Sequence, residues 1–331
     1  MLEPLVREDV YRRYWAFASE RQRIFEARLA GLSAPWTNDA ILGSYRFCNV
    51  FRAADRVSQH LIRHAAFGEP SADVDDIFLR VVLHRLFSRA TTWELLHDQL
   101  GAIDAKTFDT DSYGAVLDRA LEQGQRIYTN AFILCATPAY GFNRKHRNHL
   151  ALLRAMLEDG VPDKIATAQS LEEVYLELRN WPLMGPFMAY QLAVDLNYSP
   201  IIAFSEDEFV VPGPGAERGM AKVFVDLGGL TPAEAIMWLV EQQHLIEERL
   251  GIVAPSLFGR ALHAIDCQNL LCEVDKYCRE AFPALTSNRS RIKQRFVIDP
   301  EPYRLFFPPD WGVNDRIPER SQSDVRDLAS L

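Results

Sequence analysis

The sequence predicts a mainly α-helical protein, and three observations carry that expectation. Apolar residues recur at spacings of three and four along most of the chain, only two short stretches have strand character, and residues 178–196 read as a helix, a tight turn and a second helix. With 331 residues, 48% of them apolar, there is enough material for one large core or two ordinary ones. Residues 1–313 are expected to form one helical body, or two lobes with a site between them. Residues 314–331 read as a polar tail whose composition allows disorder.

Taken in order, residues 4–30 have helical periodicity, and Pro35-Trp36-Thr37-Asn38-Asp39 reads as a turn ending in an N-cap. Further helices are expected at 39–65, 74–88, 92–99, 112–125, 145–159, 170–178, 186–196, 231–249 and 257–281. The strand candidates are Ala131–Ala136 and Phe296–Ile298. No run of about 18 uninterrupted apolar residues occurs. The charges of Glu3, Arg7, Glu8 and Asp9 stand where a signal peptide needs its apolar region, so a cytosolic location is expected. Cys48, Cys135, Cys267, Cys272 and Cys278 are odd in number and lack the paired spacing of a zinc or iron–sulfur site; reduced thiols and no bound metal are expected.

The hairpin places Pro182, Leu183, Met184 and Gly185 where many helix-hairpin-helix proteins have Pro-Gly-apolar-Gly. Gly185 can take φ > 0, and its turn would expose backbone amides suited to a phosphate oxygen. The following helix ends at Pro200, and the acids Glu206, Asp207 and Glu208 come next, with Ser205 at the position where glycosylases of this layout carry aspartate. A carboxylate there would support an oxocarbenium-like sugar as a base departs. The hairpin lacks the lysine needed for a Schiff base. The same residues would also suit a buried helical hairpin with a solvated acidic loop.

Over 39–65, a continuous helix would put Arg46, Asn49, Arg52, Arg56 and Gln59 on one face. Such a face suits phosphates and base edges, or an internal ion-pair network. In the last long helix, Gln268, Asn269, Glu273, Lys276 and Tyr277 could read the edge of an everted base, or cross-link helices. Gly213, Gly215 and Arg218 lie in a Pro/Gly-rich stretch that would let backbone approach a ligand closely. No Walker A loop is present, and no cofactor is expected. A net charge of −9 is a poor match for DNA overall, yet Arg144, Lys145 and Arg147, with Arg289, Arg291, Lys293 and Arg295, form basic clusters that could track a backbone or simply be solvated.

Three stretches, PWTNDAILGSYRFCNVFRAADRVSQ, FSEDEFVVPGPGAERG and DCQNLLCEVDKYCR, together resemble the helical proteins named α-glutamyl/putrescinyl thymine pyrophosphorylase and 5-hydroxymethyluracil DNA kinase helical domain. The resemblance covers most of residues 10–300. It looks like a divergent branch of the helix-hairpin-helix glycosylases that includes bacterial anti-phage enzymes. It implies action on a bulky modified base in DNA. On this reading the chain is expected to be a monofunctional glycosylase excising glucosylated 5-hydroxymethylcytosine from phage DNA, with Glu206, Asp207 or Glu208 catalytic. Arg46, Asn49, Arg52, Arg56, Gln268, Asn269 and Lys276 would line the base pocket, and Gly185 would hold phosphate. The alternatives are a transferase or pyrophosphorylase acting on 5-hydroxymethyluracil-type bases with the glycosidic bond intact, and a non-catalytic reader of modified DNA.

Overall fold

The computed structural model describes residues 3–68, 71–129, 138–285, 289–299 and 301–322. Among them the α-helices are α1 (Glu8–Leu29), α2 (Ala40–Ser44), α3 (Arg56–His60), α4 (Val74–Phe87), α5 (Ala90–Leu100), α6 (Thr110–Glu122), α7 (Lys145–Glu158), α8 (Val161–Ala166), α9 (Leu171–Arg179), α10 (Pro186–Asn197), α11 (Pro214–Val223), α12 (Pro232–Gln242), α13 (Ile246–Leu250) and α14 (Ala264–Ala281). A two-stranded antiparallel ribbon of β1 (Leu5–Val6) and β2 (Phe224–Asp226), a π-helical segment at Leu61–Ala66 and short 3-10 turns complete the regular structure among the described residues. The mainly helical expectation holds. No helix among the described residues is long and apolar enough to cross a membrane.

The chain divides into two units. The first holds residues up to Asp55, then Glu206–Leu305 and Trp311–Gln322. Its axis is α14, against which α1 packs the buried Tyr14 and Phe17. The Tyr14 hydroxyl donates to the Cys267 carbonyl at 3.3 Å. Helix α11 approaches α14 so closely that a Cβ on Gly219 would stand 2.1 Å from the Leu271 oxygen. The stretch expected to be a polar tail is held down over 314–322, where Ile317 and Ser321 are buried and the Leu305 amide donates to the Ser321 carbonyl at 2.7 Å.

The second unit holds Arg56–Ser205 with Phe306–Asp310. Helix α4 is its centre: every residue from Ile77 to Phe87 is buried, which explains why its sequence carries no polar stripe. Arg85 on α4 is spanned by Asp195 of α10, both carboxylate oxygens accepting from its guanidinium. Arg80 is equally buried and gives its donors to the Ala65 and Ser71 carbonyls, each at 3.0 Å.

Several expected elements are corrected. The helix of 39–65 is broken: α2 ends at Ser44, residues 45–51 are irregular, and regular structure resumes only at a 3-10 turn, Arg52–Ala54. The reason lies in side-chain acceptors. The amides of Cys48, Asn49 and Arg52 donate to carboxylates of Glu273, Asp55 and Asp266 at 2.9, 2.8 and 2.8 Å, an alternative that outcompetes the helical ladder. The last long helix starts at Ala264 and not near 257, and 231–249 is two helices. The Pro/Gly-rich loop is in fact α11, with Pro214 at its first position, where a missing N–H costs nothing. Phe296–Ile298 is not a strand; the Phe296 amide donates to the Ser44 carbonyl at 3.0 Å, and the Phe296 ring meets Trp36 edge to face. The other strand candidate, Ala131–Ala136, lies outside the described residues.

Candidate active site

Over the stretch read as a hairpin, α9 and α10 are joined by a turn through Pro182 and Leu183. Its geometry differs in one respect. Gly185 has φ −63°, and the left-handed residue is Leu183 at φ 68°, which occupies the position of the first glycine in Pro-Gly-apolar-Gly. Gly185 is the N-cap of α10 with Pro186 next, so α10 begins with an exposed glycine and one amide fewer.

In the first unit, a polar cluster gathers at the N-terminus of α14. His263 is the N-cap and Asp266 is three residues on, accepting the His263 amide at 3.2 Å and the Arg52 amide at 2.8 Å. Asp207 accepts the Ala264 amide at 2.9 Å through one oxygen and faces His263 Nδ1 at 2.7 Å through the other. Glu206 is buried and paired with Arg260, whose guanidinium lies 3.7 Å over the Trp311 ring; Glu206 Oε1 is buried with no hydrogen-bond partner among the described residues. Glu208 is exposed. The three acids thus separate: two turn into the cluster and one faces solvent.

The electrostatics follow from burial and neighbours. Burial pushes the Asp266 carboxyl up, the nearby Glu206 charge pushes further, and the two backbone amides and Arg260 only partly oppose them, leaving it at about 7. Burial also acts to raise Asp207, but the His263 hydrogen bond and charge outweigh it and hold the carboxyl below its usual range. For His263 burial favours the neutral ring, yet the bond to Asp207 and the charges of Asp207 and Glu206 win against Arg260 and raise its pKa. An imidazole whose Nδ1 is held by a carboxylate exchanges protons through Nε2, the arrangement of a general base with its orienting acid.

The remaining expected residues sort as follows. Arg46, Asn49 and Arg52 do not share a helix face, because the segment is not helical; Arg46 is exposed, while Asn49 and Arg52 are buried. Asn49 accepts from Arg21 at 2.5 Å and donates to the Ala54 carbonyl at 2.7 Å. Arg56 belongs to the second unit. Gln268 is buried with Oε1 lacking a partner among the described residues, and Asn269 donates to the Asn49 carbonyl at 3.3 Å. Glu273 accepts from Lys276 at 2.8 Å, and the Tyr277 hydroxyl donates to Asp39 at 2.6 Å. Arg218 is tied to the buried Asp275 at 3.3 Å, and Gly215 lets α11 lie against Cys272. Gly213 caps α11. In the second unit Arg144 and Arg147 pair with Asp118 at 2.9 and 2.7 Å, and Lys145 sits 4.5 Å over the Tyr128 ring, so this basic cluster is largely neutralised.

Neither His263 nor Arg260 stands out in the sequence. Extending the last helix back to 257 placed both inside a helix body. The signal that locates them is His263-x-x-Asp266 ahead of an apolar run, the spacing of a helix N-terminus.

Residues 8–287 match the family model described as "5-hmdU DNA kinase, helical domain". The chain belongs to this family. Over 297 residues it is 28% identical to a "5-hmdU DNA kinase" of Bacillus phage SP10, an alignment covering 83% of this chain and 46% of that protein. This member of the helical-domain family therefore spans about half the length of that relative. No solved structure matches. The expectation of a glycosylase, a hydrolase excising glucosylated 5-hydroxymethylcytosine, is overturned: the family and the relative are named for a kinase, which is a transferase.

Proposed function

We propose that this chain handles the acceptor side of a group transfer to DNA: it binds DNA carrying a uracil-type base with a 5-hydroxymethyl group and assists transfer to that hydroxyl, leaving the glycosidic bond intact. The observation that carries the proposal is the Asp207–His263 pair at the start of α14, 2.7 Å apart, in a family named for a 5-hmdU DNA kinase. A hydroxyl oxygen that attacks a donor must lose its proton. His263 Nε2 accepts it, and Asp207 holds the ring and stabilises the imidazolium. The oxygen forms the new bond, and the bond that breaks is the donor's own. A phosphate cradle of the Walker A type is absent from the sequence. The residues named therefore serve the base and its hydroxyl, and the donor's phosphates are held other than by a Walker A loop.

The test is to incubate the full chain with an oligonucleotide carrying one 5-hydroxymethyluracil and a nucleoside triphosphate, digest the DNA and weigh the nucleosides. The expected product is a heavier deoxynucleoside in a strand that resists alkali. His263→Ala is expected to slow its formation by a factor on the order of 100 to 10,000. The rate should rise with pH as His263 loses its proton, and Asp207→Asn, by removing the partner that raises the His263 pKa, should move that rise to lower pH. Release of free base, or variants as active as the parent, overturns the proposal.

A further inference from the structure

A cavity of about 330 Å³ lies within the first unit, walled by Trp36, Tyr45, Phe47 and Phe296 and by Arg21 and Arg28 of α1. This volume is at the lower end of what small-ligand sites enclose, enough for one flat ring system. Trp36 and Phe296 meet edge to face, centroids 6.2 Å apart, and Arg28 lies 5.1 Å over the Trp36 ring. Arg21 is 8% exposed; its Nη2 donates to Asn49 at 2.5 Å, and its Nη1 is buried with no hydrogen-bond partner among the described residues. A buried guanidinium N–H left unmatched is costly, so this position calls for an acceptor from an occupant. No aspartate or glutamate among the described residues lines the cavity, and the Thr37 hydroxyl is committed to Glu20 at 2.5 Å. The walls therefore offer aromatic surface and hydrogen-bond donors.

We propose that this cavity receives a uracil-type base turned out of the DNA, its ring against the aromatic walls and a ring carbonyl accepting from Arg21 Nη1. The assignment rests on the DNA-transferase reading above and adds to it the place where the base sits. Uracil presents carbonyl oxygens on both sides of N3. Cytosine keeps the C2 carbonyl but carries an amino group at C4, a donor that a guanidinium cannot match, so the contact that selects uracil is Arg21 Nη1 with the C4 carbonyl. An isolated phosphate would satisfy Arg21 but would be stripped of water by four aromatic side chains, which a planar base tolerates better. Through Asn49, the same guanidinium ties the cavity to the 45–55 segment, whose Arg52 amide ends on Asp266.

The test uses the full chain and a single-stranded oligonucleotide with one 5-iodouracil, irradiated to cross-link the base to adjacent aromatic residues and mapped by peptide mass spectrometry. Binding of uracil-, cytosine- and 5-hydroxymethyluracil-containing strands, and of free 5-hydroxymethyl-2′-deoxyuridine, is measured in parallel. Cross-links at Trp36, Tyr45 or Phe296 are expected, with uracil-type strands preferred over cytosine. Arg21→Met should weaken binding by about tenfold or more. Phe296→Ala, in a half-exposed position outside any helix, should weaken it by a similar factor through lost stacking, and keeps the test sound if Arg21→Met fails to fold. Strands that bind and cross-link only elsewhere overturn the cavity assignment while leaving the transferase reading in place. Free nucleoside bound with sensitivity to Phe296→Ala, without DNA binding, keeps the cavity and removes the DNA reading. Binding of neither overturns both.

Discussion

Leu183 is held at φ 68°, a conformation that costs a side-chain-bearing residue about 1 kcal/mol or more, and it is held there because the turn between α9 and α10 needs it. Glycine would relieve that strain but add freedom to the unfolded chain, so Leu183→Gly should leave stability within about 1 kcal/mol of the parent. Leu183→Val, branched at Cβ, should lower it by about 1–2 kcal/mol. Urea midpoints decide: a valine variant as stable as the parent would mean the turn relaxes out of the left-handed region. The same residue shows how a motif can be legible while its rule is broken. The Pro-x-apolar-Gly spacing pointed to the turn, but Gly185 was credited with the positive φ that belongs to Leu183, two residues earlier, since nothing in a lone leucine announces a left-handed backbone.

At the scale of elements, α11 and α14 touch through glycine. A Cβ at Gly215 would meet Cys272 Sγ at 2.7 Å, the end of a side chain, whereas one at Gly219 would meet the Leu271 carbonyl oxygen, which is backbone. Gly215→Ala should therefore cost about 1–3 kcal/mol and be partly restored by Cys272→Ala, while Gly219→Ala should cost more and resist rescue. Thermal melts of the singles and the pair test the coupling; additive effects would show that the helices move apart freely. This contact also marks what was unreadable. The density of proline and glycine in PGPGAERG reads as a loop until the helix it leans on is known, and glycine's role there is in the partner's backbone. Long helices with an apolar stripe or a fully apolar interior, such as α1 and α4, were legible from spacing alone. The break at 45–51 was not, because the acids that end the helical ladder include Asp266 and Glu273, more than two hundred residues away.

On the scale of the molecule, the two units carry opposite responses to pH. In the second, burial and neighbouring histidines and arginines hold His60 and His84 at about 2 and about 3, so the folded unit stays uncharged where the unfolded chain is protonated. The unfolded state then binds more protons below about pH 6.5, and stability falls as pH falls through that window. In the first unit, Asp266 is raised to about 7; the folded state holds a proton that the unfolded chain has released, and that contribution is lost as pH rises through 7. Hydrogen exchange should show α4 losing protection as pH falls from 6.5 to 5, and α14 losing it as pH rises from about 4 to 7. His84→Gln should reduce the acid-side slope by up to about 1.4 kcal/mol per pH unit. Equal responses in both helices would refute the division. The 45–55 segment adds a different kind of constraint. Its amides at Cys48, Asn49 and Arg52 each end on a particular carboxylate, so one inserted or deleted residue anywhere between them shifts those downstream off their acceptors together. The turn at Gly124, where the backbone is exposed and a Cβ would meet only open space, can absorb the same change in length. Spacing, more than residue identity, is what relatives of this chain should share between α2 and α3.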